Sequence, residues 1–252
     1  MPPAATMQFS VLVAFVAAGI TVANPVKRQL AQVITDCVNP NDAALTFDDG
    51  PWNYETDIVN TLDAAGAKGT FFLNGNNYGC IYDQNLVDRI KYAHDHGHQL
   101  GSHTWSHYDL STLTWDQIHD EMWRVEQALQ KTVGVTPAFM RPPYGNYNDQ
   151  VLSASYIRGQ SVVIWNFDSG DSIGAPPTQS KNDYDSYLAG HPSGPLLLNH
   201  ETYNTTAYDV LPHALEKLKA AGYNLVTVAQ CLNQQPYQST QAPGTRDASW
   251  TC

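Results

Sequence analysis

Two carboxylates stand side by side at Asp48 and Asp49, in the run TFDDGP (46–51). Like charges held that close repel unless something positive compensates them. A divalent cation taking one carboxylate would leave the other free to accept a proton. Asp-Asp-Gly-Pro also suits a plain β-turn, so the pair acquires meaning only through partners elsewhere in the chain. His103 and His107, in SHTWSH (102–107), are one such set. Four residues apart on a helical turn, two imidazoles face the same way and can share one ion. No Glu lies between them, unlike the HExxH proteases, so a base must come from elsewhere. With Asp49 they would form a two-His-one-carboxylate set with open positions, and Asp48 would remain as general base.

Further polar residues follow apolar runs. Arg141 opens RPPYGNYN (141–148), where the two prolines hold it in extended backbone and aim its permanent charge, with Asp48 as the natural partner. WNFDSGD (165–171) carries Asp168 and Asp171, and LLLNH (196–200) ends on His200. A histidine with a carboxylate partner can be kept charged and oriented as an acid, and Asp171 is the expected partner. HDHGH (94–98) looks rich in metal ligands through His94, His96 and His98. Gly97 should end a helix there, so the rings are expected to diverge, and histidine near a helix C-terminus is favoured by the dipole alone.

These residues need elements to hold them. Strands are expected at 43–47, 69–74, 98–102, 138–141, 161–165, 194–199 and 224–228. Helical patterns lie between them, with stops at Gly66, Gly97 and Gly222, and a long helix after Ser111 and Thr114 as candidate caps. The βα rhythm predicts an α/β fold, a distorted (β/α) barrel of about seven parallel strands, whose chemistry gathers where strands end. Adjacent strand residues point to opposite sides, so Asp48 and Asp49 can reach one site only at a bend, which Gly50-Pro51 would supply.

The chain of 252 residues suits one large domain, and its net charge of −11 argues against nucleic acid or an anionic membrane as partner. Residues 11–23 form an apolar stretch ending in small residues, too short to span a bilayer; it reads as the core and cleavage site of a signal peptide, although no Lys or Arg precedes it. Lys27-Arg28 reads as a dibasic processing site. Cys37, Cys80, Cys231 and Cys252 lack close spacing and so read as disulfides of an oxidising compartment. Of three pairings, Cys37–Cys231 is favoured because barrel closure would bring the ends of the strand series together, and Cys80–Cys252 follows by elimination. Asn204 begins an N-glycosylation acceptor that ends at Thr206.

With these residues assembled, the sequence resembles the polysaccharide deacetylases of carbohydrate esterase family four, the NodB-like domain. The resemblance runs from about Cys37 to Cys231 and rests on TFDDGP, HTWSH, RPPY, DSGD and LNH in that order. It implies Asp48 as catalytic base, Asp49, His103 and His107 as ligands of one divalent metal (zinc foremost, cobalt the alternative), and Arg141 as partner of Asp48. It also implies the Tyr144 N–H as oxyanion donor, His200 as acid tuned by Asp171, and Leu198, Tyr144 and Trp165 facing substrate. Ser172 stands where the family usually has an aromatic, which puts one wall of the groove in question. The division expected is a signal peptide 1–23, a short pro-segment 24–28, a catalytic domain 29–235 and an irregular tail 236–252. Within the family, TFFLNGNN (70–77) and the N-terminal signals look like fungal chitin deacetylases. The expectation is therefore a secreted monomer, extracellular or in the cell wall, that removes N-acetyl groups from β-1,4-linked N-acetylglucosamine in chitin or chitooligosaccharides. Peptidoglycan deacetylation, acetylxylan esterase activity, a glycosidase using paired carboxylates and a non-catalytic carbohydrate-binding protein are the competing readings.

Overall fold

The computed structural model describes residues 1–4 and 29–252; the expected signal and pro-segments fall almost wholly in 5–28, outside the described residues. In chain order the elements are β1 (Val33–Ile34), β2 (Asp42–Gly50), α1 (Glu55–Ala64), β3 (Gly69–Leu73), α2 (Gln84–Asp95), β4 (Gln99–Ser102) and α3 (Trp115–Val133). Then come β5 (Val135–Pro137), β6 (Phe139–Met140), α4 (Asp149–Ile157), β7 (Ser161–Val163), β8 (Phe167–Asp168) and α5 (Pro177–Ala189). The series ends with β9 (Leu196–His200), α6 (Leu211–Ala220), β10 (Asn224–Leu225), α7 (Val228–Cys231) and β11 (Tyr237–Thr240).

Nine strands among the described residues form one parallel sheet in the order β1-β7-β6-β4-β3-β2-β9-β8, with β10 added beside the start of β2. The sheet curls into a half-barrel whose edges, β1 and β8, do not pair with each other. Every anticipated strand is present; β1 and β8, two residues each, are additions too short to leave a period in the sequence. Alternation along the central strands divides the core in two. Leu45, Phe47, Phe71, Leu73 and Leu197 point outward and pack with the apolar faces of the helices. Ala44, Phe72, Phe139, Val163 and Leu196 point inward and meet Val228, Ala229 and Leu232. The helix α7 thus plugs the N-terminal end of the barrel.

That plug changes one expectation and explains another. The apolar run 224–228 is strand only at Asn224–Leu225, because Thr227 accepts from Gln230 N and, with the Gln230 side chain returning to its own amide, caps α7. Cys231 lies on α7 and bonds Cys37, and Cys80 bonds Cys252. The favoured pairing is therefore present, although the plug and not ring closure of the sheet brings Cys37 and Cys231 together. The tail is also less irregular than expected: Tyr237–Thr240 pairs antiparallel with β5 before residues 241–252 run on without regular structure. Of the two candidate caps of the long helix, Thr114 caps α3 with Gln117 as reciprocal partner, and Ser111 sits in a separate 3₁₀ turn.

Candidate active site

Alternation along β2 sends Thr46 and Asp48 into the barrel at its C-terminal end. Asp49 then takes a left-handed conformation (φ 72°) and the register with β3 slips between Asp48 and Gly50. This bulge turns two consecutive carboxylates toward one place, which a regular strand cannot do. The bend is moulded around the Glu201 carboxylate. A Cβ at position 50 would lie 2.0 Å from Glu201 Oε1, so any other residue there would have to displace this buried side chain, to whose same oxygen Trp52 N donates at 2.7 Å.

Arg141 is the positive group beside Asp48. It is fully buried against the Phe72 ring and donates from Nη1 to Asp48 Oδ1 at 2.8 Å and to Thr46 Oγ1 at 2.7 Å. Its Nε and Nη2 reach Val163 O and Ile164 O. Burial pushes the Asp48 pKa up, and Arg141 and then His200 pull against that rise. One Asp48 oxygen is engaged by the guanidinium; the other, Oδ2, lies 3.7 Å from His103 Nε2.

His103 follows β4 directly, and its Nδ1 lies 2.7 Å from Arg141 O, which turns Nε2 toward Asp49. His103 Nε2 and His107 Nε2 stand 3.6 Å and 3.3 Å from Asp49 Oδ1. The sequence spacing suggested a helical turn here. The structure has a loop instead, with Thr104 and His107 both at positive φ, and that loop brings the rings to 4.9 Å between centroids. Burial lowers the pKa of His103 to about 3 and of His107 to about 4, so both rings are neutral and present lone pairs. Burial, with repulsion from Asp48 and Asp171, lifts Asp49 to about 6. Two neutral imidazoles and a carboxylate under-supplied with positive charge fit a divalent cation. Among the described residues this is the one group of three ligand-type side chains whose donor atoms lie within 4.8 Å of one another.

Across the cleft, His200 ends β9. Its Nδ1 lies 2.8 Å from Asp171 Oδ1, and its backbone N–H donates to Asp171 Oδ2 at 2.8 Å. Thr206 Oγ1 donates to Oδ2 as well, at 2.7 Å. Burial works against charge at both members, yet the bonds between them prevail: Asp171 is held below the usual carboxylate range and His200 is raised to about 9. A protonated imidazole therefore faces an arginine-paired carboxylate across one cleft of about 440 Å³. Leu198, Trp165 and Tyr144 line it, and Tyr144, at φ 60°, keeps an amide without an acceptor among the described residues. Beside Ser172, the exposed Ile173 stands on the wall where an aromatic was missed.

The HDHGH cluster behaves differently from the expectation of three diverging rings. His94 turns to Tyr237, but His96 and His98 both approach Asp63, at 2.5 Å and 3.4 Å, beside the Lys68–Asp63 ion pair and far along the sheet from the cleft; burial lowers His98 to about 4, so its ring is neutral. Sequence reasoning also missed residues that act on the site from behind. Thr46 joins Arg141, Glu201 carries the Gly50 turn, and Thr206 joins Asp171. Only Thr46 had a local signal, as the inward position two before Asp48. Glu201 and Thr206 are recognisable only once their distant partners are known.

Residues 35–172 match the polysaccharide deacetylase family. The chain belongs to that family. It is similar to a chitin deacetylase of Pestalotiopsis sp, 38% identical over 232 residues that cover 88% of this chain and 75% of that protein. A peptidoglycan-N-acetylglucosamine deacetylase of Listeria monocytogenes is 33% identical over 195 residues, 76% of this chain but only 39% of that protein. In structure the chain resembles the chitin deacetylase of Colletotrichum lindemuthianum, with a TM-score of 0.80, 27% identity, and coverage of 88% of this chain and 99% of that one. The half-barrel is the NodB-like fold of these polysaccharide deacetylases.

Proposed function

We propose that this polysaccharide deacetylase is a secreted, zinc-dependent enzyme that removes N-acetyl groups from β-1,4-linked N-acetylglucosamine, in chitin or its oligomers, releasing acetate and leaving free amines. The observation that carries this reading is the meeting, in one cleft, of the Asp48–Arg141 pair, the Asp49–His103–His107 donor set and the Asp171–His200 pair. The chitin deacetylase relative that the chain matches over most of its length supports chitin as substrate. The Listeria relative keeps peptidoglycan as the second reading. Two disulfides support passage through an oxidising compartment, and no described helix is long and apolar enough to cross a membrane.

Asp49, His103 and His107 would hold the cation, with zinc suited to neutral imidazole and carboxylate ligands. Bound there, it would act as a Lewis acid, polarising the acetamide carbonyl and lowering the pKa of water. Asp48, its charge compensated by Arg141, takes one proton from the attacking water as its oxygen bonds to the carbonyl carbon. The Tyr144 N–H, held free in its left-handed turn, donates to the oxygen that becomes negative. His200, protonated at neutral pH, passes its proton to the sugar nitrogen as the C–N bond breaks. Leu198 provides an apolar surface for the acetyl methyl.

Mass spectrometry of products from chitooligomers, peptidoglycan fragments and acetylated xylan, incubated in parallel with zinc-loaded protein, tests the reading. Loss of acetyl mass from chitooligomers at undiminished chain length is expected. Loss from peptidoglycan or xylan alone would move the substrate assignment, and shortened chains would point to a glycosidase.

A further inference from the structure

We propose that Thr206 is a positioning residue of this deacetylase, its buried hydroxyl locking the Asp171 carboxylate in the orientation that aims His200. The proposal rests on the deacetylase reading above. In sequence, Thr206 is simply the last residue of an N-glycosylation acceptor. In the structure the two ends of that acceptor have separated roles: Asn204 is exposed, whereas Thr206 is 0% exposed and donates to Asp171 Oδ2 at 2.7 Å.

The count of donors around Asp171 shows what the hydroxyl does. Oδ2 accepts from Thr206 Oγ1 and from His200 N, leaving Oδ1 to face His200 Nδ1 alone. A carboxylate torsion is soft, and one backbone bond does not fix it. A second donor on the same oxygen removes that freedom and presents Oδ1 to the imidazole in a single geometry. The hydroxyl brings no charge of its own, so it orients the pair without altering the net charge of the cleft.

The backbone that delivers Thr206 is itself unusual. Thr206 opens a π turn, Thr206–Val210, in which Leu211 N reaches back to Thr206 O. Pro212 follows within the first turn of α6; in α geometry its ring would crowd the carbonyl four residues earlier, and it has no N–H to give. Widening to a π turn relieves that conflict, and such turns occur frequently at functional sites.

Other charged or titratable groups face this pair. Asp48 and Asp49 come from β2, and His103 and His107 from the loop after β4. Asp168 on β8, Tyr184 on α5 and Tyr203 complete the surroundings. None of them bonds Asp171 in place of Thr206.

Three variants separate the hydroxyl from the glycan. Asn204→Gln removes the acceptor and keeps the hydroxyl, Thr206→Ser keeps both, and Thr206→Val removes both; Thr206→Ala replaces the last if valine disturbs folding. With zinc-loaded protein and chitooligomers, Thr206→Val should lower kcat about 10-fold, the scale of one hydrogen bond to a charged group, with KM nearly unchanged. Thr206→Ser should restore kcat, and Asn204→Gln should match the parent. In parallel, NMR titration of the His200 ring should show its midpoint moved downward in Thr206→Val, because a carboxylate free to turn holds the charged imidazole less well, and returned in Thr206→Ser. Wild-type kcat and an unmoved ring titration in Thr206→Val would overturn the proposal, as would an equal loss in Asn204→Gln. If no acetylated glycan is turned over by the parent but the ring titration shifts as described, the deacetylase reading falls and the positioning of Asp171 by Thr206 stands.

Discussion

Replacing Arg141 with methionine tests whether the guanidinium is what makes a fully buried Asp48 tolerable as an anion. Arg141 is 0% exposed, and its donors serve Asp48, Thr46, Val163 O and Ile164 O. Methionine fills much of the same volume but serves none of them, leaving a buried carboxylate uncompensated. Breaking one side of a buried ion pair costs roughly 3–5 kcal/mol. For a domain of this size that corresponds to a fall in Tm of about 6–20 °C, at about 2–4 °C per kcal/mol. The carboxylate would respond by holding its proton more tightly. Arg141 pulls the Asp48 pKa down against burial, so its removal should carry the acid limb of kcat/KM upward.

Both effects can be read on one preparation, by chemical denaturation of metal-free protein and by acetate release against pH with zinc restored. The double variant Asp48→Asn with Arg141→Met supplies the control. If stranded charge causes the loss, the double variant should recover about 1–3 kcal/mol relative to Arg141→Met while staying inactive. Methionine substitution that leaves stability and the acid limb unchanged would refute the electrostatic account. Equal stability of the single and double variants would show that lost packing and backbone hydrogen bonds, not charge, carry the cost.

For the metal set, Zn²⁺ at 100 times its Kd should stabilise the parent by about 2.7 kcal/mol, and calorimetry should show this gain largely lost in His107→Ala. His200→Ala should slow amide substrates more than matched esters, because alcohols depart with less protonation; equal losses on both would contradict the acid role. His200 is raised from 6.5 to about 9, so its stabilising contribution is fully present below about pH 6.5 and disappears as pH rises through about 9. That is roughly 3 kcal/mol at about 1.36 kcal/mol per unit, and His200→Gln should flatten the denaturation profile in that window. Burial raises Glu55 to about 8, and its buried neighbour Glu201 is also raised, first by burial and then by the charge of Glu55. Here the folded state keeps a proton that the unfolded chain releases, so this pair erodes stability as pH climbs from about 4.5 to about 8. Glu55→Gln should raise Tm at pH 8 more than at pH 5, by about 2–4 °C for each kcal/mol relieved.

The difference between what the sequence disclosed and what it withheld follows from how far each physical constraint reaches along the chain. Strand period and strand ends are local, so Asp48, His103, Arg141 and His200 could all be placed at the C-terminal rim, and a parallel sheet necessarily turns those ends one way. The bend at Asp49 was equally local, because two neighbouring residues of a flat strand cannot share a face. The proposed helical turn between His103 and His107 failed at the next level. Spacing alone does not distinguish a helix from a loop with two positive-φ residues, and both bring the rings together. The Cys37–Cys231 pair shows the same ambiguity, since a plugging helix and a closed ring predict the same bond. Beyond that reach lie donor and acceptor pairs fixed only by the folded chain. Glu201 meets Trp52 across 149 positions, and Thr206 meets Asp171 across 35. A threonine that completes a glycosylation acceptor and a threonine that donates to a buried carboxylate are the same residue in a sequence. Burial of the hydroxyl is what separates them, and burial is a property of the whole fold.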